Sequence, residues 1–153
     1  MGEVRVVKEG GVGAPADVVY GLIADMREHH PRFLPPVFSD FAVEEGGVGA
    51  GTVTRFKLSV GGRTRSARMR IDEPEPGHVL TESDVDSSLV TTWTVTPAGN
   101  ASRVRIETVW EGAGGVGGFF ERLFAPRVLE RLYADELQRL DRYARDQPLP
   151  AAG

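Results

Sequence analysis

Val104-Arg-Ile-Glu-Thr-Val-Trp110, then Gly112-Ala-Gly-Gly-Val-Gly117, then a helical periodicity reaching about Ala144: this passage decides the fold. Val104, Ile106, Thr108 and Trp110 alternate with polar residues, the period of a half-buried strand. One long helix closing a run of strands covers one face of an antiparallel sheet, so the chain reads as α+β. On ~100° per residue, Leu129, Leu132, Tyr133, Leu137, Leu140, Tyr143 and Ala144 share one side of that helix. Arg127, Arg131, Asp135, Gln138 and Arg142 share the other. Phe119, Phe120, Leu123 and Phe124 fall out of phase with the apolar side, and Pro126 stands between the two sets. A proline inside a helix removes a backbone hydrogen bond and kinks it. Two segments follow: the second covers the sheet, and the first turns its aromatic cluster elsewhere.

The same passage spells Gly112-x-Gly114-x-x-Gly117, the outline of a dinucleotide-binding loop. That loop needs a parallel strand after the helix and an acidic residue at a strand end. No strand follows here, and Asp135 and Glu136 lie within the helix, so the glycines are read as a connection.

Upstream, Val4 and Val6 open a first strand that ends at Gly10-Gly11. Pro15 suits a first helical position, Asp17 its positive end, and Val18, Val19, Leu22 and Ile23 form its apolar stripe. Pro31, Pro35 and Pro36 stiffen the way into a strand around 37–43. Gly61-Gly62 is a two-residue hairpin turn, which pairs Val60 with Arg63 and Phe56 with Ala67. Thr52, Thr54, Phe56, Leu58, Arg65, Ala67, Met69 and Ile71 then face inward. Arg55, Lys57, Ser66, Arg68 and Arg70 face out. Placing Glu82 opposite Arg68 relieves the clash of Arg55 with Arg68, and this turns Val79, Thr81 and Ser83 inward. In the last hairpin Val95 pairs with Val104, Trp93 with Ile106, Thr91 with Thr108 and Leu89 with Trp110.

The chain has 153 residues, a net charge of −4 and no cysteine. One domain over 1–145 with a disordered tail over 146–153 is expected. The acidic balance, with pI near 5.4, argues against nucleic acid and anionic membranes as partners. Without cysteines there is no disulfide or thiol nucleophile, and without a basic-then-apolar leader or a ~20-residue apolar run the expected location is the cytoplasm. His29-His30 is read as a solvated helix end because adjacent helical residues point ~100° apart, so neither metal nor cofactor is expected. Asn100-Ala101-Ser102 is a formal glycosylation acceptor without consequence in that compartment, and hydrolase motifs are absent.

What remains is the inner wall. Its candidate ligand-binding residues are Thr54, Phe56, Leu58, Arg65, Met69, Ile71, Thr81, Thr91, Trp93, Ile106, Thr108 and Trp110, with Phe120 and Phe124 from the helix. Apolar lining with a few hydroxyls suits a small-molecule cavity. Arg65, the one strongly charged residue on that face, either anchors a ligand carboxylate or enolate or snorkels to water. It is the only catalytic candidate.

Several stretches together carry a family resemblance: Ala14-Pro-Ala-Asp-Val-Val-Tyr-Gly-Leu-Ile-Ala-Asp25, the prolines over 31–36, Gly49-Ala-Gly-Thr52, Glu73-Pro-Glu-Pro-Gly77, Trp93-Thr-Val-Thr-Pro97 and the closing helix with its early proline. Over 4–144 the chain resembles the START-like (SRPBCC) superfamily, in its bacterial polyketide cyclase/dehydrase-like branch. It departs from that pattern at His29-His30-Pro31-Arg32-Phe33, where a tryptophan often stands. The resemblance implies a helix-grip fold: seven antiparallel strands curled round the C-terminal helix, with two short helices between strands 1 and 2. It also implies binding of a lipid, polyketide or aromatic compound in an internal cavity, by a monomer or homodimer. The alternatives are a polyketide aromatase/cyclase-type enzyme and a protein-interaction module without a ligand. The expected gate is 119–124 with the loop over 31–36.

Overall fold

The computed structural model describes residues 2–60, 62–111 and 126–148. Seven strands run in chain order: β1 (Glu3–Val12), β2 (Phe38–Glu45), β3 (Val53–Val60), β4 (Arg63–Glu75), β5 (Val79–Asp84), β6 (Val90–Ala98) and β7 (Ala101–Glu111). Helix α1 (Ala16–Ala24) and a 3-10 turn (His30–Phe33) lie between β1 and β2, and α2 (Pro126–Arg145) follows β7. All neighbouring strands are antiparallel, in the order β1-β7-β6-β5-β4-β3-β2. The first two strands therefore form opposite edges, and α1 with the 3-10 turn carries the chain from one to the other. This is the expected helix-grip arrangement.

Pro15 precedes α1 as its cap instead of opening it, with φ −59° and ψ 150°. After α1, the Asp25 carboxylate accepts from the Arg27 and Glu28 amides at 3.1 and 2.9 Å, which shapes the descent to the 3-10 turn. Pro31 lies in the first turn of that 3-10 segment, where a missing amide costs nothing.

Hairpin β3–β4 has the register read from its turn: Val60 opposes Arg63 and Phe56 opposes Ala67. Gly62 takes φ +79°, a conformation side chains resist. In β6–β7, Val95 opposes Val104, Trp93 opposes Ile106 and Thr91 opposes Thr108, also as read. Phe56, Leu58, Met69, Ile71, Trp93, Ile106 and Trp110 are all buried.

Strand β5 departs from the sequence reading by three residues, Glu82 pairing with Ile71 instead of Arg68. Ile71 opposes Glu82, and Thr81 opposes Asp72 and Thr92. Leu80 and Glu82 therefore face the interior, while Val79, Thr81 and Ser83 face outward. A slip by any odd number of residues inverts every side chain, and the pairing also carries an irregularity between Asp72 and Glu75. The charge relief expected from Glu82 comes from β2, where Glu44 Oε1 accepts from Arg68 Nε at 2.6 Å.

Helix α2 lays Leu129, Tyr133, Leu137, Leu140 and Ala144 into the core, with Leu132 and Tyr143 half-buried beside them. A further residue of this face, Glu136, is 3% exposed. The described part of the helix begins at Pro126. The expected change of face before that proline, the aromatic cluster over 119–124 and the end of the tail all lie outside the described residues.

Candidate functional site

Between the inner face of the sheet and α2 lies a cavity of about 70 Å³. At roughly 10–15 Å³ per water molecule, it holds a small cluster of waters or one compact ligand. Phe56 and Leu58 of β3, Met69 of β4, Trp93 of β6 and Trp110 of β7 supply apolar wall. Half-buried Leu34, Phe38, Phe41 and Leu132 supply the side nearest solvent.

Three ionisable groups enter this apolar space. Glu82 comes from the inward register of β5, and its Oε2 accepts from Trp93 Nε1 at 3.2 Å. Its Oε1 lies 3.8 Å from Nε2 of His30. His30, 2% exposed, sits edge-on to Trp93 and tilted against Phe33, with ring centroids at 5.5 and 4.7 Å. Its Nδ1 is 2.7 Å from the Ile23 carbonyl. A carbonyl only accepts, so Nδ1 carries the proton, and Nε2 presents its lone pair or a second proton toward Glu82.

Glu136 is the third, projecting from α2. Burial raises its carboxyl well above the usual carboxylate range, and the nearby charges of Glu82 and then Asp135 push the same way. The two carboxyl groups thus occupy one cavity in different surroundings. Glu82 is held by an indole N–H, whereas no described residue hydrogen-bonds Glu136.

A hydroxyl chain completes the wall. Thr91 and Thr108 share a hydrogen bond at 2.7 Å, and Thr108 also bonds the Tyr133 phenol. Burial raises the Tyr133 phenol above its ordinary value, while its bonds to Thr108 and Thr91 draw it partly back.

Of the residues singled out from sequence, Phe56, Leu58, Met69, Thr91, Trp93, Thr108 and Trp110 line this cavity. Thr54, Ile71 and Ile106 are buried on the inner face but belong to closed core. Thr81 is corrected: it lies on the outer face. Arg65, read as either a ligand anchor or a side chain reaching for water, is half-buried opposite Leu58 and is not among the residues that line this cavity. Phe120 and Phe124 lie outside the described residues.

Sequence reasoning missed His30, Glu82 and Glu136. Glu136 had a readable signal: it is three residues after Tyr133, four after Leu132 and four before Leu140, the spacing of one helical face. His30 was expected in solvent; the tight 3-10 turn instead tucks it beneath α1.

A family model described as polyketide cyclase/dehydrase and lipid transport matches residues 3–145. The chain belongs to this family. The solution structure of the KanY protein is 40% identical, with a TM-score of 0.82 over 95% of this chain and 99% of that one. The Zhui aromatase/cyclase from Streptomyces sp. R1128 is 20% identical, with a TM-score of 0.77 over 99% of both chains. Norcoclaurine synthase from Thalictrum flavum, solved with dopamine and hydroxybenzaldehyde, is 16% identical; its TM-score is 0.73 over 97% of this chain and 90% of that one. At those two identities the likeness is one of fold. No curated protein matches the chain significantly. Among the described residues no helix is long and apolar enough to cross a membrane.

Proposed function

We propose that this family member binds a compact hydrophobic small molecule in the cavity under α2. The observation that carries the reading is an aromatic-walled space that also admits His30, Glu82 and Glu136. A closed core gains nothing from buried carboxyl groups, because an unpaired one costs desolvation. Such groups at the wall of an apolar pocket fix a ligand's orientation. Part of the proposal is a cytoplasmic monomer or homodimer that meets its ligand without nucleic acid or membrane insertion. Trp93 and Trp110 both line the cavity, so their fluorescence should change when the neutral probe N-phenyl-1-naphthylamine or a panel of aromatic polyketides is titrated in. No response across that panel would sink the reading.

A second reading, a cyclase- or dehydrase-type enzyme, is favoured by the unequal surroundings of the two carboxyl groups. Two titratable groups whose environments push them apart are a source of acid–base roles. Glu82 would take a proton from the carbon beside a ligand carbonyl. Glu136, whose burial favours the protonated form, would give a proton to the carbonyl oxygen, yielding an enol with charge balanced. Deuterium exchange into 2-tetralone tests this step: wild type should accelerate it, and Glu82→Gln should abolish the acceleration. Equal exchange with and without protein would leave only binding.

A further inference from the structure

We propose that the cavity is built for a compact aromatic amine whose ammonium group sits between the carboxyl groups of Glu82 and Glu136. This inference rests on the cavity-binding reading above and narrows it to a ligand class.

Among the described residues lining the cavity there is no lysine or arginine, and two carboxyl groups face it. The complement of such a wall is a cation, whereas an anion finds His30 as the one basic side chain among the described lining residues, already beside Glu82. Aromatic faces add to this preference, because Trp, Tyr and Phe rings attract ammonium groups more strongly once water is excluded. Trp93, Trp110 and Tyr133 all line the space.

Glu136 supplies the independent sign of a missing partner. It is 3% exposed, and no described residue hydrogen-bonds it. Trp110 Nε1 is nevertheless the one fully enclosed side-chain polar atom without a partner among the described residues. The Glu136 oxygens therefore keep accessible surface, and for a buried side chain on this wall that surface is the cavity. By contrast, Trp110 Nε1 is sealed within the packing and is not offered to a ligand.

The groups facing Glu136 define what happens when the ligand arrives. Glu82 approaches from β5, His30 from the 3-10 turn, the Thr91–Thr108 hydroxyls from β6 and β7, and Tyr133 and Asp135 belong to α2 itself. In the free protein burial, and then the charge of Glu82, raise the affinity of Glu136 for its proton. An ammonium group arriving between the two carboxyl groups opposes that rise and lowers the affinity of Glu136 for its proton again. Binding of the amine is therefore accompanied by proton release.

Three probes of similar shape separate the charges: 2-phenylethylamine, 2-phenylethanol and 3-phenylpropanoate, titrated calorimetrically near neutral pH in buffers of different ionisation enthalpy. The amine should bind at least about tenfold tighter than the alcohol, with proton release, and the propanoate weakest. Glu136→Gln and Glu82→Gln should each bring the amine to within about threefold of the alcohol. Alcohol or propanoate binding as tightly as the amine overturns the inference, as does an amine preference untouched by both substitutions. N-phenyl-1-naphthylamine, titrated in parallel, tells the two readings apart. If it binds while the amine shows no preference, the cavity reading stands alone; if none of the four binds, both fall.

Discussion

Glu136 occupies a position on α2 where a leucine would maximise packing, and its protonation carries a pH signature. Folding raises its affinity for the proton above that of the unfolded chain, whose ordinary value is 4.5. The native state then holds more protons than the unfolded state above that pH. Stability from this group is complete below about 4.5 and is lost as pH rises toward the raised native value. Glu136→Gln removes the loss. Its urea midpoint should exceed wild type at pH 8, and the gap should shrink by pH 4; an equal gap at both pH values would show that Glu136 does not titrate this way. Tyr133→Phe is the milder neighbour. It deletes one buried phenol and leaves the Thr91–Thr108 bond at 2.7 Å in place, so a loss of about 1 kcal/mol is expected from the urea midpoint. A loss of about 3 kcal/mol or more would mean that the phenol holds the wall together.

Among the elements, hairpin β3–β4 and hairpin β6–β7 were legible because a short turn and strict alternation both fixed the register. Strand β5 was not, since Val79 and Leu80 put apolar weight on both faces and the choice fell to a charge pair at the surface. Exposed ion pairs are worth at most about 1 kcal/mol, whereas burying Leu80 is worth roughly twice that, so packing won. That inversion hid Glu82, one of the two carboxyl groups of the cavity. The sequence did reveal part of the apolar wall, in Phe56, Leu58, Met69, Trp93 and Trp110, because periodicity reports burial. It could not reveal which buried residues border empty space instead of each other. The stretch before β3 gives a test at this scale. Gly49 takes φ +69°, and a Cβ there would lie 2.2 Å from Glu73 Oε1. The same carboxylate accepts from the Ala50 amide at 2.8 Å and from the Tyr20 phenol at 2.7 Å. Gly49→Ala strains the backbone and displaces that hub together, so about 2–4 kcal/mol of stability should be lost in urea melts. An unchanged midpoint would mean that the loop relaxes freely.

For the whole molecule, stability and binding meet at the same two carboxyl groups. A domain that keeps an unpaired buried acid gives up stability unless a ligand supplies the partner, a trade typical of functional sites. A ligand that binds only the folded state stabilises it by about 2.7 kcal/mol at one hundred times its dissociation constant. For a chain of this size each kcal/mol shifts the melting temperature by roughly 2–4 °C, so saturating 2-phenylethylamine should raise it by about 5–10 °C. Glu136→Gln should start from a higher melting temperature near neutral pH and gain much less from the amine, because the vacancy that the amine fills has been relieved already. Calorimetric melts of both proteins across an amine titration measure the two shifts together. Should the variant be stabilised by the amine as much as wild type, Glu136 would be a tolerated buried acid and not part of the recognition surface.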